Sequence, residues 1–424
     1  MTAAAEGYRV RLLEPGDAGT FATVARLEVD AYPVMRVEGA EGIARFAARL
    51  ESIAGDPGVR VAVAEGDGAI AGAMLLYDFT MRVRERDAFA GGLGSVAVGL
   101  AHKRRGVART MVRWYLEDFR ARGAAFAVLH PFRPDFYRAL GFGYGTPVRR
   151  YRFAPATLDA RGARGTVRLL DPRDRDALIA CDERVRARTN GLIAKAPARV
   201  DRLLAEPALR HAGVEEDGVL RGFVQTAVRL GADGTANANE LLVRELAAES
   251  PAYEAALLGY LRSQQDQFAR IVVESQDDAL WLASADPRDG SDVLVAAPAT
   301  HRVAELGLGV MYRVLDLERA FAHLGASAAP FALRVDSEDA FFPPTAAAPT
   351  FRFGPGGPPV RDDAARPDAT LRAGIAELSS LLAGSLRLRD VLARRLAELE
   401  PLDALAHVAR VLDAPSPPIC TTRF

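Results

Sequence analysis

The sequence has few cysteines, no long apolar run and almost no net charge. Its only cysteines are Cys181 and Cys420. Two cysteines so far apart do not make a disulfide framework, so we expect a reducing, cytoplasmic setting. No stretch approaches the roughly 18 consecutive apolar residues of a membrane helix, and the first residues lack the basic and apolar regions of a signal peptide. We therefore expect a soluble protein without a membrane partner.

Neither acidic nor basic residues dominate the composition. The chain has 54 Lys and Arg against 55 Asp and Glu, a formal net charge of −1. This balance gives no general attraction to nucleic acid or to anionic membranes. The histidines and cysteines show no metal-ligand spacing, so no metal site is expected. Because a single core stops growing at roughly 250 to 300 residues, a chain of 424 residues is expected to form two or three domains.

The stretch from Gly94 to Gly145 carries the strongest functional pattern. An apolar strand, residues 95–98 (SVAV), runs into a basic, glycine-containing turn, residues 102–108 (HKRRGVA), and a helix is predicted to follow at once. A helix that begins at such a turn offers unpaired backbone N–H groups and the positive end of its dipole to an anion such as pyrophosphate. Arg104 and Arg105 add positive charge at the same place.

This arrangement resembles the acetyl-CoA signature of the GCN5-related N-acetyltransferases (GNATs), which reads Arg or Gln, two residues, Gly, one residue, then Gly or Ala. Gly106 and Ala108 fit, and Lys103 takes the first position. Residues 130–145 (HPFRPDFYRALGFGYG) resemble the family's closing strand, the next helix with its tyrosine, and the Gly-Phe turn after it. The resemblance implies an α/β acetyltransferase fold with acetyl-CoA as cosubstrate.

The same resemblance implies which residues contact acetyl-CoA. The strand before the turn pairs its backbone with pantetheine. The amides of the turn and of the first helical turn hold the pyrophosphate, and two residues after His130 lie near the thioester end. These three groups are Val96, Ala97 and Val98; Arg104, Arg105, Gly106, Val107, Ala108 and Arg109; and Phe132 and Arg133.

An internal echo predicts a second module. Residues 10–17 (VRLLEPGD) recur as residues 167–174 (VRLLDPRD), and each copy is followed by a predicted β-hairpin, a strand and a helix. The second copy has residues 247–251 (AAESP) in place of the basic turn. An acidic residue there would oppose a pyrophosphate, so we interpret this copy as a degenerate module. An unrelated α/β domain is the alternative.

From about Val310 the pattern changes to alternating strands, residues 331–335 and 351–353, followed by helices at 375–382 and 402–412. This resembles the sterol-carrier-like layer that ends the enhanced intracellular survival family, whose members acetylate aminoglycosides and polyamines. The predicted domains, all α/β with mixed sheets, are an active acetyltransferase domain at 1–155, a degenerate one at 156–305 and a sterol-carrier-like domain at 306–424. The resemblance also implies a homo-oligomer, a hexamer.

Acetyl transfer to an amine needs an acid for the departing thiolate and a base for the ammonium. Tyr137, in a Tyr-x-x-x-Gly-Phe element, is the candidate acid because a phenol with a pKa of about 10 can protonate a thiolate. The family resemblance implies that the terminal carboxylate, here on Phe424, is the base. The stiff approach of residues 415–418 (PSPP) favours docking of the apolar Phe424. His130 is either an imidazole near the thioester or a buried histidine.

Glu28 and Asp30 are the candidate carboxylates for binding the acceptor, and Asp30 falls near the family's substrate-facing Asp. Arg423 departs from the relatives that acetylate polycations, which tend to have an acidic residue before the final Phe. The leading interpretation is a small-molecule amine acceptor of the aminoglycoside or polyamine type. A protein lysine or N-terminal acetyltransferase and a binding protein for CoA or an apolar ligand are the alternatives. The natural acceptor stays open.

Overall fold

The structure, a computed structural model, describes residues 7–14, 16–231, 238–297, 299–343 and 348–424. These residues form two compact units. The first unit holds the described residues up to Gly145 together with Val310–Pro417 and Thr422–Phe424, and the second holds those within Thr146–Gly309 and Pro418–Thr421. Within the described ranges, no helix is long and apolar enough to cross a membrane.

The elements before Gly145 follow the order that the acetyltransferase pattern predicts. In chain order they are β1 (Arg9–Leu12), α1 (Ala18–Ala31), α2 (Gly39–Ala54), β2 (Val59–Gly66), β3 (Ala69–Val83), β4 (Arg86–Val98), α3 (Val107–Ala121), β5 (Phe126–Leu129), α4 (Pro134–Ala139) and β6 (Gly143–Tyr144). β2 and β3 form the predicted hairpin around Asp67 and Gly68, whose φ values of 56° and 75° suit a type I′ turn. The helix predicted after the basic turn is α3. Both predictions are confirmed.

The next elements repeat much of this plan. They are β7 (Val148–Phe153), β8 (Thr166–Leu169), α5 (Arg175–Arg186), α6 (Pro197–Ala205), β9 (Leu209–Glu216), β10 (Val219–Arg229), β11 (Glu240–Ala248), α7 (Pro251–Arg262), β12 (Arg270–Ser275), β13 (Leu294–Ala296), β14 (Thr300–His301) and β15 (Ala304–Gly307). β9 and β10 form the predicted second hairpin around Asp217 and Gly218, which have φ values of 55° and 72°. The same turn therefore closes a hairpin in both copies.

The remaining elements contain the strands and helices predicted beyond Val310. They are β16 (Met311–Val314), α8 (Leu317–Phe321), β17 (Phe331–Glu338), β18 (Thr350–Phe353), β19 (Val360–Arg361), β20 (Ala369–Gly374), α9 (Ile375–Ala383), α10 (Leu388–Ala393), β21 (Ala397–Glu400) and α11 (Leu405–Leu412). The strands predicted at residues 331–335 and 351–353 are β17 and β18, and the predicted helices correspond to α9 and α11.

Each unit contains a seven-stranded sheet. In the first unit its order is β1-β2-β3-β4-β5-β16-β6, and a five-stranded sheet has the order β19-β18-β17-β20-β21. The sheet of the second unit runs β15-β7-β12-β11-β10-β9-β8. β16 pairs antiparallel with β5, although the two are far apart in sequence. No local sequence pattern indicates this pairing. The domain boundaries at residues 155 and 305 stay predictions.

Two cores cover the two faces of the first seven-stranded sheet. α3 buries Met111, Tyr115 and Phe119, whose spacing puts them on one face of the helix. Alternate residues of β3 point to opposite faces, so Met74 joins the core under α3 and Leu75 joins the core under α1 and α2. Each large side chain buried in this way stabilises the fold by roughly 1.5 to 3 kcal/mol. We call the face covered by α1 and α2 the α1 face.

Candidate active site

Strand β4 has a free edge where it separates from β5. The two strands pair in parallel only from Ala90 to Leu93 of β4. The amide of Gly99, just past β4, donates to the carbonyl of Ala71 on β3 at 2.9 Å. Because successive residues of a strand point their N–H and C=O groups in opposite directions, those of Val96 and Val98 face away from β3. They form the free edge that the predicted pantetheine contact requires.

Ala97 was predicted with Val96 and Val98 but takes a different place. Its carbonyl oxygen faces β3, where it lies 2.9 Å from the position of a Cβ built on Gly72. Its side chain is 1% exposed and belongs to the core under α1. Ala97 therefore anchors the strand to β3, and the polar groups on either side of it form the free edge.

A β-bulge turns Gly94 and Ser95 to the α1 face together. The register between β3 and β4 shifts between Ala73 and Leu75, and Ser95 has a φ of +50°, in the left-handed region. A Cβ built on Gly94 would lie 3.1 Å from the carboxyl carbon of Phe424. The hydroxyl of Ser95 donates to Oε2 of Glu28 on α1.

The predicted pyrophosphate turn forms a concave run of backbone amides. Arg104 and Gly106 have φ values of 62° and 85°, and α3 begins at the next residue. Left-handed residues before a helix point successive N–H groups toward one side and make an anion-binding nest. The amides of Val107, Ala108 and Arg109 have no acceptor within the helix because they lie in its first turn. Val107 is 1% exposed, so only its backbone can contact a ligand.

The arginines of this turn differ in how their charge is placed. Arg104 and Arg109 are exposed, and the guanidinium of Arg109 lies 4.6 Å from the centre of the Phe341 ring. Arg105 forms an ion pair with Asp67 at 3.0 Å. Arg104 therefore brings exposed positive charge to the turn, whereas the guanidinium of Arg109 lies over Phe341 and Arg105 shares its charge with the neighbouring hairpin.

Tyr137 lies on the inner side of the short helix α4. It is 7% exposed, and its ring packs edge to face against Phe136 and Phe142, with centroids 5.1 and 5.8 Å apart. Burial, together with the nearby phenol of Tyr32, raises the pKa of Tyr137 above its ordinary value. Tyr137 is therefore protonated at neutral pH, as an ordinary phenol is, and carries the proton that an acid must donate, although its raised pKa makes it a weaker acid.

Phe132 and Arg133, predicted near the thioester end, directly precede α4. Phe132 is 75% exposed, and its ring meets Tyr32 edge to face at 5.8 Å. Arg133 forms an exposed ion pair with Asp135. Phe132 therefore lies next to Tyr32, and the guanidinium of Arg133 is paired with a carboxylate in the first turn of α4.

The last three residues dock on the α1 face. Phe424 packs against three aromatic rings whose centroids are 4.8, 5.0 and 5.7 Å away, those of Phe79, His130 and Tyr77. The Nε2–H of His130 donates to the carbonyl of Thr422 at 3.1 Å. Burial lowers the pKa of His130, so the ring is neutral at pH 7 and this contact assigns its proton to Nε2. The ring contacts the tail, but the residue as a whole is exposed, so the alternative of a buried histidine is wrong and His130 belongs to the site.

Glu28 is buried where α1 crosses β4, whereas Asp30 is exposed. Glu28 is 1% exposed, and its Oε1 has no hydrogen-bond partner among the described residues. Burial raises the pKa of Glu28 to about 7, against the opposing effect of the Ser95 hydrogen bond. Tyr32, which directly follows α1, donates to the carbonyl of Val96 on the free edge. Burial and the charge of Glu28 raise the pKa of Tyr32 to about 12.

The arrangement supplies the parts that acetyl transfer requires. It offers a free strand edge, an amide nest with positive charge, a protonated phenol, and carboxyl groups near the bulge. The described residues contain no group of three or more His, Cys, Asp or Glu side chains placed to hold a metal ion. Tyr32, Ser95, Tyr77 and Phe79 also belong to the site, and the sequence did not single them out.

Two family models match the chain. Residues 18–145 and residues 190–314 each match a model described as an acetyltransferase (GNAT) domain. An uncharacterised N-acetyltransferase of Streptomyces coelicolor is 29% identical over 307 residues, which are 67% of this chain and 70% of the relative. An uncharacterised N-acetyltransferase of Streptomyces avermitilis is 29% identical over 190 residues, 41% of this chain and 45% of the relative.

Solved structures share the fold over the full length. A GCN5-related N-acetyltransferase from Kribbella flavida superposes with a TM-score of 0.78 at 20% identity and covers 100% of both chains. Eis1 from Mycobacterium abscessus superposes with a TM-score of 0.74 at 21% identity and covers 98% of this chain and 100% of its own. At these identities the likeness establishes the α/β fold with tandem GNAT domains.

A GNAT domain implies acetyl-CoA as the cosubstrate. The free edge of β4 at Val96 and Val98 suits the amides of pantetheine, which add to such an edge as a strand does. The nest at Arg104 and Gly106 suits a pyrophosphate. From the two domain matches, the similarity of the relatives and this fit, the chain is a GNAT-type N-acetyltransferase with two acetyltransferase domains in tandem.

Proposed function

We propose that the first module transfers acetyl directly to a primary amine of a small molecule, of the aminoglycoside or polyamine type. The observation that carries this proposal is the docking of Phe424 against Gly94, at the bulge of the same strand that offers its free edge at Val96. Acetyl-CoA, when bound, supplies an acetyl group activated as a thioester. Tyr137 supplies the acid and the Phe424 carboxylate supplies the base, so the transfer needs no covalent enzyme intermediate.

The chain's own residues hold the cosubstrate at two places. The backbones of Val96 and Val98 take the pantetheine amides, and the hydrogen bond from Tyr32 to Val96 yields to them. The amides from Arg104 to Arg109 hold the pyrophosphate, with Arg104 adding exposed positive charge. Phe132 and the backbone before α4 line the acetyl end.

Two residues move the protons of the reaction. Tyr137 donates the proton of its phenol to the leaving sulfur, since a phenol with an ordinary pKa of about 10 is already protonated at neutral pH. The α-carboxylate of Phe424 accepts a proton from the acceptor nitrogen, directly or through water. An α-carboxyl group has an ordinary pKa near 3.5, so it is ionised at neutral pH. The contacts of His130 with Thr422 and with the Phe424 ring hold this carboxylate in place.

We assign catalysis to the first module alone. At the corresponding turn of the second module, Glu249 accepts from Arg184 at 2.7 Å and lies 3.4 Å from Arg221. α7 then begins at Pro251, which has no N–H to offer an anion. A carboxylate held by two arginines and a proline at the first helical position do not suit a pyrophosphate.

Release of the CoA thiol from acetyl-CoA, measured over a panel of aminoglycosides, polyamines and lysine peptides, tests this function. We expect turnover with at least one small-molecule amine. Tyr137→Phe should lower kcat on the order of 100-fold without changing the dissociation constant of acetyl-CoA. Tyr144→Phe, at the half-buried tyrosine on β6, is the matched control and should leave kcat unchanged. A Tyr137→Phe enzyme with unchanged kcat would remove the acid from the proposal.

A protein lysine or N-terminal acetyltransferase is the second candidate. Arg423 is exposed, and a cation beside the site repels polycations but tolerates a peptide with a single amine. Turnover confined to the lysine peptides of the panel would favour this candidate. A cytoplasmic location, a hexamer and a sterol-carrier-like role for residues 306–424 are proposals that rest on the family resemblance.

A further inference from the structure

Two carboxyl groups meet the same face of β4 at adjacent residues. The carboxyl carbon of Phe424 lies next to Gly94, and Glu28 accepts the hydroxyl of Ser95. In an unbroken strand these neighbours would face opposite sides of the sheet. The bulge at Ser95 cancels that alternation, so the acceptor side of the site has two carboxyls where the sequence indicates one base.

Glu28 has no cation to compensate its charge among the described residues. The effects that shift its pKa are burial and the Ser95 hydrogen bond, and no charged group on α2, β3 or β4 contributes. The titratable neighbour is Tyr32, which directly follows α1. A buried carboxylate without a cationic partner is costly, and Oε1 lacks even a hydrogen-bond donor. An ammonium group supplies both the missing charge and the missing donor.

The reaction itself requires two proton acceptors. An aliphatic amine arrives as R–NH₃⁺ and loses one proton before it has a lone pair for attack. It loses a second proton once the C–N bond forms, because the product amide keeps a single N–H. The Phe424 carboxylate, in the proposed function, accounts for one of these protons.

We propose that Glu28 is the other proton acceptor: its Oε1 binds the ammonium group of an aliphatic primary amine and takes the first proton. This inference rests on the proposed function. The freed lone pair bonds to the acetyl carbon, the C–S bond breaks, Tyr137 protonates the sulfur, and the Phe424 carboxylate takes the second proton. That proton restores Tyr137, and the proton on Glu28 leaves to solvent, so each turnover releases one proton.

The basicity of Glu28 suits this step. A carboxylate with an ordinary pKa is a weak acceptor for an ammonium proton, and a raised pKa makes transfer less unfavourable. The assignment also defines a substrate class. Aliphatic primary amines are protonated at neutral pH and need Glu28, whereas aniline-type amines arrive neutral and have no first proton to lose.

Kinetics with one aliphatic and one aniline-type amine test the assignment. For the aliphatic amine, wild-type kcat/KM should fall as pH drops below about 7, where Glu28 becomes protonated. Glu28→Gln should lower this kcat/KM on the order of 100-fold, abolish that pH dependence, and affect the aniline-type amine several-fold less. Ser95→Gly suits the positive φ and removes the hydroxyl that lowers the pKa of Glu28, so it should move the pH dependence upward. Glu41→Gln, on the exposed side of α2, is the control.

Several results would overturn the role of Glu28. They are wild-type kcat/KM in Glu28→Gln, an equal loss for both amines, or an unmoved pH profile in Ser95→Gly. Calorimetric binding of the aliphatic amine to the enzyme with CoA gives a readout without turnover, in which Glu28→Gln should bind about 10-fold more weakly at pH 8. Equal binding contradicts the role of Glu28, whereas a wild type that acetylates no amine contradicts the proposed function.

Discussion

The carboxyl carbon of Phe424 lies 3.1 Å from the position that a Cβ on Gly94 would occupy. A residue from the end of the sequence therefore fills the space that a missing side chain leaves on β4. The same Cβ would lie 3.1 Å from the ring of Tyr77, which itself packs against Phe424. The absence of a side chain at residue 94 is thus a condition for docking the tail.

Gly94→Ala should displace the tail. Its methyl group would lie closer to the Phe424 carboxyl carbon than ordinary van der Waals contact allows, so that carboxylate shifts from its place. Because a small misplacement of a reacting group is costly, we expect kcat to fall roughly 10-fold to 100-fold with an unchanged dissociation constant for acetyl-CoA. Gly19→Ala, on α1 with nothing within 4 Å of the new Cβ, is the control and should behave as the wild type. Equal kcat in both variants would contradict the docking.

Gly106→Ala should weaken acetyl-CoA binding. Residue 106 has a φ of 85°, and a Cβ there strains the backbone and crowds the amide nest. Gly68→Ala places the same strain, at a φ of 75°, in a hairpin turn with nothing within 4 Å. Each substitution costs roughly 1 to 2 kcal/mol of stability. We expect the dissociation constant of acetyl-CoA, measured by calorimetry, to rise at least roughly 10-fold in Gly106→Ala alone. The same affinity in both variants would rule out the nest as the pyrophosphate site.

His130→Ala should loosen the tail without affecting the cosubstrate. It removes the Nε2–H donor to the Thr422 carbonyl and one of the rings that contact Phe424. We expect kcat to fall roughly 10-fold, with the acetyl-CoA dissociation constant unchanged. His301→Ala, at an exposed histidine on β14, is the control. If kcat stays at the wild-type value, His130 does not hold the tail.

Glu28 should make the stability of the protein depend on pH. Its pKa in the folded state, about 7, lies above the ordinary value of 4.5, so its stabilising effect is complete below pH 4.5 and is lost as pH rises through 7. That loss is about 3 kcal/mol. The neutral amide of Glu28→Gln does not undergo this loss. The melting temperature of Glu28→Gln minus that of the wild type should therefore increase from pH 5 to pH 8. Glu41→Gln should follow the wild type, and parallel curves for Glu28→Gln would contradict the buried carboxyl.

Short sequence patterns predicted part of the fold. Asp67-Gly68 and Asp217-Gly218 each signal a type I′ hairpin, because both central residues of that turn need a positive φ. The apolar spacing along α3 predicts its buried face, and Gly106 predicts the turn before it. These features depend on residues close together in sequence, so the sequence alone determines them.

Contacts between distant residues were not predictable in the same way. The insertion of β16 beside β5 depends on pairing across the chain, and the bulge at Ser95 interrupts an otherwise regular strand. The choice between Glu28 and Asp30 did have a local signal. Val24 and Leu27 face the sheet from α1, and Glu28 lies on the same side of the helix. Positions 28 and 30 differ by about 200° around a helix, so Asp30 lies on the opposite, exposed side.

Shortening or extending the chain at Phe424 tests most directly whether its carboxylate is the base. Intact mass first establishes that Phe424 carries a free carboxylate, and kcat is then compared with a variant lacking Phe424 and with one that has a single glycine appended after it. We expect both variants to lose on the order of 100-fold in kcat or more, while the dissociation constant of acetyl-CoA stays unchanged. Wild-type turnover in the glycine-extended variant would contradict the role of the Phe424 carboxylate as the base.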